Sequence, residues 1–165
     1  MKKSVLIYWL IPARAERELF RKLIRILAKQ FDAPIFEPHL TLCFGKNRES
    51  ARKLLRRVKT SPLRLRVHEV GHSSKFTKTL FVRMKPDRSL NKLALELGSA
   101  ALADPHVSLV YKKLPARIRK ELVATIKLPF RSVTFDIVKA VRCTSPTTTA
   151  REVKSWRAVA TKRLG

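Results

Sequence analysis

Glu37-Pro38-His39-Leu40-Thr41-Leu42 returns later in the chain as Asp104-Pro105-His106-Val107-Ser108-Leu109, in each case acidic residue, proline, histidine, aliphatic residue, hydroxyl, leucine. A repeat visible inside one chain marks duplicated architecture. Each segment opens a short apolar run of strand character. Alternate side chains of a strand share a face, so His39 and Thr41 point one way while Leu40 and Leu42 point the other, and His106 and Ser108 behave likewise. One face therefore carries polar chemistry and the other packs. The proline before each histidine suits a strand start, where no ladder donor is needed.

Working outward, residues 4–11 are a run of Val, Leu, Ile, Tyr and Trp stopped by Pro12, a strand apolar on both faces. Over 13–30, Leu19, Phe20, Leu23, Ile24 and Leu27 recur at helical spacing among Arg and Lys, which predicts an amphipathic helix with a basic exterior. A strand over 39–44, a basic helix over 49–59 and a half-buried strand over 63–70 follow. After a loop over 71–78 the order starts again: strand 80–85, helix 89–101, strand 106–111, a helix opened by Pro115, and strand 130–141. Strand-helix-strand-helix-strand thus occurs twice. A polar linker over 144–149 leads to a closing strand around 156–161. The expectation is a single domain over 1–165 with lobes at about 1–70 and 79–165. A pseudo-two-fold axis between the halves would bring both polar faces to one cleft.

With 165 residues, 45% of them apolar, the chain can bury one real core. Its 37 Lys and Arg against 12 Asp and Glu leave a formal charge of +25. That field concentrates polyanions, so nucleic acid or phosphorylated ligands are the natural partners, although part of the charge is the ordinary solvated exterior of basic helices. The helices carry core-facing stripes and lack aromatic anchors for a membrane surface. No signal peptide and no apolar run of about 20 residues is evident, so a soluble, cytoplasmic monomer is expected. Cys43 and Cys143 are too few for a disulfide framework and suit a reducing compartment.

Two imidazoles and two hydroxyls around one small volume suit phosphodiester cleavage. The reaction needs a base for the attacking oxygen, an acid for the leaving oxygen, and donors for the non-bridging oxygens. Histidines titrate near neutral pH and serve as either, while Thr41 and Ser108 can donate to phosphate. A lone histidine at a strand start is more often structural, but two copies at equivalent places favour chemistry. A metal site is less well supported, since neither motif face adds a cysteine or carboxylate as third ligand, and no cofactor is expected. His68 and His72 read as surface residues and Cys43 as packing.

These segments resemble the paired His-x-Thr/Ser signatures of the two-histidine (2H) phosphoesterases, and the resemblance extends over nearly the whole chain. The cyclic phosphodiesterase-like branch is suggested by Tyr8-Trp9-Leu10-Ile11-Pro12, by Phe36-Glu37-Pro38-His39-Leu40-Thr41-Leu42, and by Pro105-His106-Val107-Ser108-Leu109-Val110-Tyr111. The resemblance implies an α+β fold, a duplicated β-α-β-α-β unit forming two lobes with antiparallel sheets around a central cleft. It further implies a catalytic tetrad of His39, Thr41, His106 and Ser108, with Tyr111 and Trp9 as substrate-contacting aromatics. It implies metal-independent hydrolysis of nucleoside 2′,3′-cyclic phosphates or ADP-ribose 1″,2″-cyclic phosphate. The alternatives are processing or ligation of RNA 2′,5′ or 3′ ends by the same tetrad, or a non-catalytic RNA-binding module. Motif symmetry does not decide which histidine is base; His106 as base and His39 as acid is the starting expectation.

Overall fold

A computed structural model of the chain describes residues 1–45 and 50–165. In order, the elements are β1 (Lys3–Pro12), α1 (Arg14–Phe31), β2 (Leu40–Phe44), α2 (Ala51–Arg57), β3 (Leu63–His72), a 3-10 turn at Phe76–Lys78, β4 (Leu80–Met84), α3 (Arg88–Glu96), β5 (His106–Val110), α4 (Ala116–Thr125), β6 (Ser132–Ser145), α5 (Ala150–Lys154) and β7 (Arg157–Arg163). The expected start of the second helix at Glu49 lies outside the described residues. The helix expected over 89–101 ends early because Gly98, at φ 78°, makes the left-handed turn of a C-terminal cap. Its N–H donates to Leu95 O, and that of Ser99 to Ala94 O, the paired bonds of a Schellman motif.

All ladders are antiparallel, and strand order is β1-β2-β5-β4-β3-β6-β7 with β1 also pairing β6. The first six strands therefore close on themselves, and β7 adds to β6. The expected α+β architecture with antiparallel sheets is what the chain adopts. β6 is longer than its predicted run, since pairing with β1 carries it to Ser145, opposite Lys3. The stretch read as a linker thus begins as strand. It then turns into α5, capped reciprocally by the Thr149 side chain on Glu152 N–H and by Glu152 on the Thr149 N–H.

One face of the sheet packs on the helices. Tyr8, Leu10, Leu40, Leu65, Val82 and Val107 meet Phe20 and Leu27 of α1 and Leu90 and Leu93 of α3 in one core. The opposite face keeps a smaller apolar cluster of Trp9, Ile11, Val141 and Cys143 and carries the polar side chains of both motifs. Among the described residues no helix is long and apolar enough to cross a membrane.

Candidate active site

The acidic-Pro-His segments build the same local structure twice. His39 Nδ1–H donates to the Glu37 carbonyl at 2.7 Å, and His106 Nδ1–H to the Asp104 carbonyl at 2.8 Å. A carbonyl only accepts, so each imidazole keeps its proton on Nδ1 and leaves Nε2 with a lone pair. The acidic side chains anchor these turns. Lys139 Nζ donates to both Glu37 oxygens at 2.7 and 2.8 Å. Asp104 takes Arg83 Nε at 2.7 Å on one oxygen and Lys78 on the other.

β2 and β5 join through Leu40 opposite Val107. These two residues hold the same place in their motifs, so each motif pairs with its own counterpart and a local two-fold axis passes between the strands. Extending the register by one sets Thr41 against His106 and His39 against Ser108. Directly opposed residues share a face, so all four polar side chains emerge on one side. Neighbouring strands extend that face: Trp9 lies opposite Thr41, Phe81 opposite Ser108, and Arg83 opposite His106. The result is a cleft of about 400 Å³ lined by all six residues singled out from sequence, His39, Thr41, His106, Ser108, Trp9 and Tyr111. Its volume falls in the range of small-molecule sites.

The two halves of the cleft differ in exposure. His39 is 5% exposed and Trp9 equally so, their rings stacked at 3.7 Å and 10°. The Tyr111 hydroxyl donates to His39 Nε2 at 3.4 Å, and Trp156 meets the imidazole edge-on. Burial pushes the His39 imidazole down to about 4; its bond to Glu37 opposes the shift, and nearby His106 adds a further downward push. Half-buried His106 is lowered first by desolvation, partly offset by Asp104, with Lys78 and Arg83 reinforcing the fall. Desolvation raises the Asp104 carboxyl, but hydrogen bonds from Lys78 and Arg83 outweigh it and keep the group ionised. Burial raises the Tyr111 phenol, which stays protonated. Ser108 Oγ donates to Thr77 O at 2.9 Å, whereas Thr41, among the described residues, has no side-chain hydrogen-bond partner.

Several residues of this site carry no mark in the sequence. Trp156 borders the cleft just before β7, its indole Nε1 buried without a hydrogen-bond partner among the described residues. Lys75 and Lys78 reach the cleft from the segment read as a loop, and Thr144 to Thr147 form another wall. Only the tryptophan's rarity was a signal. Of the remaining titratable candidates, His72 lies outside the cleft and takes a hydrogen bond from Arg119 at 3.3 Å, and Cys43 is in the core. Buried Cys143 borders the cleft, its thiol pushed up to about 12 by desolvation. Among the described residues no group of three His, Cys, Asp or Glu side chains is placed to hold a metal ion.

Comparison with known proteins gives one family match, to the cyclic phosphodiesterase-like proteins, over residues 4–164. Among curated proteins none matches. Solved structures with the same fold include Escherichia coli LigT with 3′-AMP, 18% identical with a TM-score of 0.58 over 98% of both chains. LigT in its apo form is 19% identical, with a TM-score of 0.58 and the same coverage. A structure described only as a phosphoesterase is 15% identical, with a TM-score of 0.56 over 98% of this chain and 99% of its own. At such identity these structures speak for the fold alone.

Proposed function

The chain belongs to the cyclic phosphodiesterase-like family of two-histidine phosphoesterases, and from that premise we propose that it hydrolyses a cyclic ribose phosphate, of the nucleoside 2′,3′-cyclic or ADP-ribose 1″,2″-cyclic type, without a metal ion. The observation that carries this reading is the self-paired register of Leu40 and Val107, with two imidazoles and two hydroxyls on one face of the cleft. The volume suits a single nucleotide, and E. coli LigT has been seen with 3′-AMP.

In the proposed reaction the long Tyr111 contact gives way to a water at His39 Nε2, which takes a proton from that water as the water oxygen attacks phosphorus in line. The opposite P–O bond breaks, and His106 gives its Nε2 proton to the departing ribose oxygen, leaving a phosphomonoester and a free hydroxyl. This inverts the starting expectation of His106 as base. His39 is sealed against Trp9 and resists charge, as a base must before it acts, whereas His106 is half-exposed and close to the Asp104 carboxylate. Both imidazoles are neutral at pH 7 when the cleft is empty, so His106 must gain its proton as the anionic substrate binds. Thr41 and Lys78 line the cleft and are the donors assigned to the non-bridging oxygens, where they would stabilise the charge that develops. Trp9 and Tyr111 touch His39 and act through it, holding the ring and its tautomer.

The test is direct. Purified protein should open the four nucleoside 2′,3′-cyclic monophosphates, and His39→Ala and His106→Ala should each lower turnover by about 10²- to 10⁴-fold. A folded variant with near wild-type turnover removes that histidine from the mechanism.

A further inference from the structure

A second groove, of about 860 Å³, runs along β3 beyond its pairing with β6. β6 partners β3 only over residues 63–66; past that point Val67 N–H reaches Arg131 O, and the strand's outer edge opens into the groove. Leu128 and Phe130 line it on the far side. Arg64, Arg66, Lys85 and Arg131 bring four exposed cations to it. Its one acid, Glu69, is held by Arg83. Among the described residues no carboxylate pairs with any of those four. Like charges gathered in a concavity without counter-charges raise the local potential and draw polyanions.

The groove's Glu69 and the cleft's His106 lie on either side of one strand, β4. Arg83 stands opposite His106 on one side and opposite Glu69 on the other. Glu69 is therefore two strand spacings, about 10 Å, from His106 on the same face. The bulge between Val67 and Glu69 takes up His68 as an extra residue, which keeps Arg64, Arg66 and Glu69 all on that face. A chain leaving the cleft past His106 meets Arg83 and then the arginines of β3.

We propose that the groove binds the phosphodiester backbone of a single-stranded RNA whose cyclic-phosphate end sits in the cleft. The inference rests on the phosphodiesterase reading and names the substrate class for that site. A cleft of about 400 Å³ admits one nucleotide and no duplex, so the adjoining nucleotides leave it as a single strand. Arginines without counter-charges suit successive phosphates, and a lone cyclic nucleotide has no second phosphate to offer them.

The experiment pairs a cyclic mononucleotide with a roughly ten-nucleotide RNA ending in the same cyclic nucleotide, and measures binding separately by anisotropy on the 3′-phosphate form of that RNA. Arg64→Glu with Arg66→Glu should weaken RNA binding and raise the RNA KM by about ten-fold or more. The salt dependence of binding should become shallower, by about 0.7 per lost phosphate contact. Mononucleotide turnover should stay within about two-fold. Arg131→Glu repeats the test from the opposite wall, should the double variant fold poorly. Arg25→Glu with Lys29→Glu, exposed on α1 and equal in charge change, should leave RNA binding near wild type. Equal weakening by the α1 pair, RNA binding unmoved by the groove variants, or equal loss on both substrates each overturns the proposal. If neither cyclic substrate is turned over while groove variants alone lose RNA affinity, the groove stands and the catalytic reading falls.

Discussion

Stacked on Trp9, with a carbonyl at Nδ1 and a phenol at Nε2, His39 can be charged only where water barely reaches. Its pKa near 4 has a kinetic and a thermodynamic consequence. A base works only when neutral, so kcat/KM should fall on the acid side near pH 4. The alkaline limb should follow the His106 proton and lie below the ordinary histidine value, since desolvation lowers that group too. The pH optimum of kcat/KM on a cyclic mononucleotide therefore lies on the acid side of neutrality; an optimum above pH 7 contradicts the assignment. For stability, the folded chain keeps His39 neutral while the unfolded chain protonates it below about 6.5. Stability is thus lost as pH falls from about 6.5 towards 4, by up to about 3 kcal/mol. Urea melts at pH 7 and 4.5 should show this slope in wild type and a shallower one in His39→Gln. The hydroxyls should also differ, because Ser108 already donates to Thr77 O and Thr41 is free to meet phosphate. Thr41→Ala should cost more in kcat than Ser108→Ala, and each less than either histidine.

Between residue and fold, Gly71 shows how β3 supports the site. Opposite it on β4 lies Phe81, whose ring passes 2.7 Å from where a Cβ on Gly71 would be. That ring, 2% exposed, meets His106 edge-on at 5.4 Å. Gly71→Ala should therefore destabilise the protein by about 1–3 kcal/mol through overpacking and slow turnover by shifting His106. Phe81→Leu in the same chain should recover part of the loss in a thermal melt. The pattern of strands and helices was legible because periodicity reports burial: Leu63 and Leu65 alternate with Arg64 and Arg66 as a half-buried strand must. What escaped depends on distant partners. The length of β6 comes from its pairing with β1, and α5 has five residues, too few for a periodic signal. The cap of α5 was written in Thr149-Ala150-Arg151-Glu152 but sat in a stretch rich in Thr and Ser. Thr149→Ala should cost about 1 kcal/mol and loosen the adjoining cleft wall, raising KM more than it lowers kcat.

Over the whole molecule, the duplicated motif pointed to the candidate site while the chain's charge pointed only to a class of partner. His39, Thr41, His106 and Ser108 could be named because a six-residue pattern, polar at the same alternate positions in both copies, marks one site twice. Lys78, Lys139 and Trp156 could not, because each is brought to the site by strands or turns remote in sequence. Since the proposed tetrad accounts for each proton moved, hydrolysis of a cyclic mononucleotide should persist in excess EDTA. Loss of turnover restored by zinc or manganese would require a metal-centred mechanism instead.

The pairing of Leu40 with Val107 also divides the site evenly along the chain: each half brings one imidazole, one hydroxyl and one of the two facing strands. Neither half owns a complete set of the groups proposed to react. A fragment made by proteolysis between the two motifs, or by early termination, should then be silent on a cyclic mononucleotide rather than weakly active. Activity should return only by complementation, when both pieces reassemble across that one strand pair.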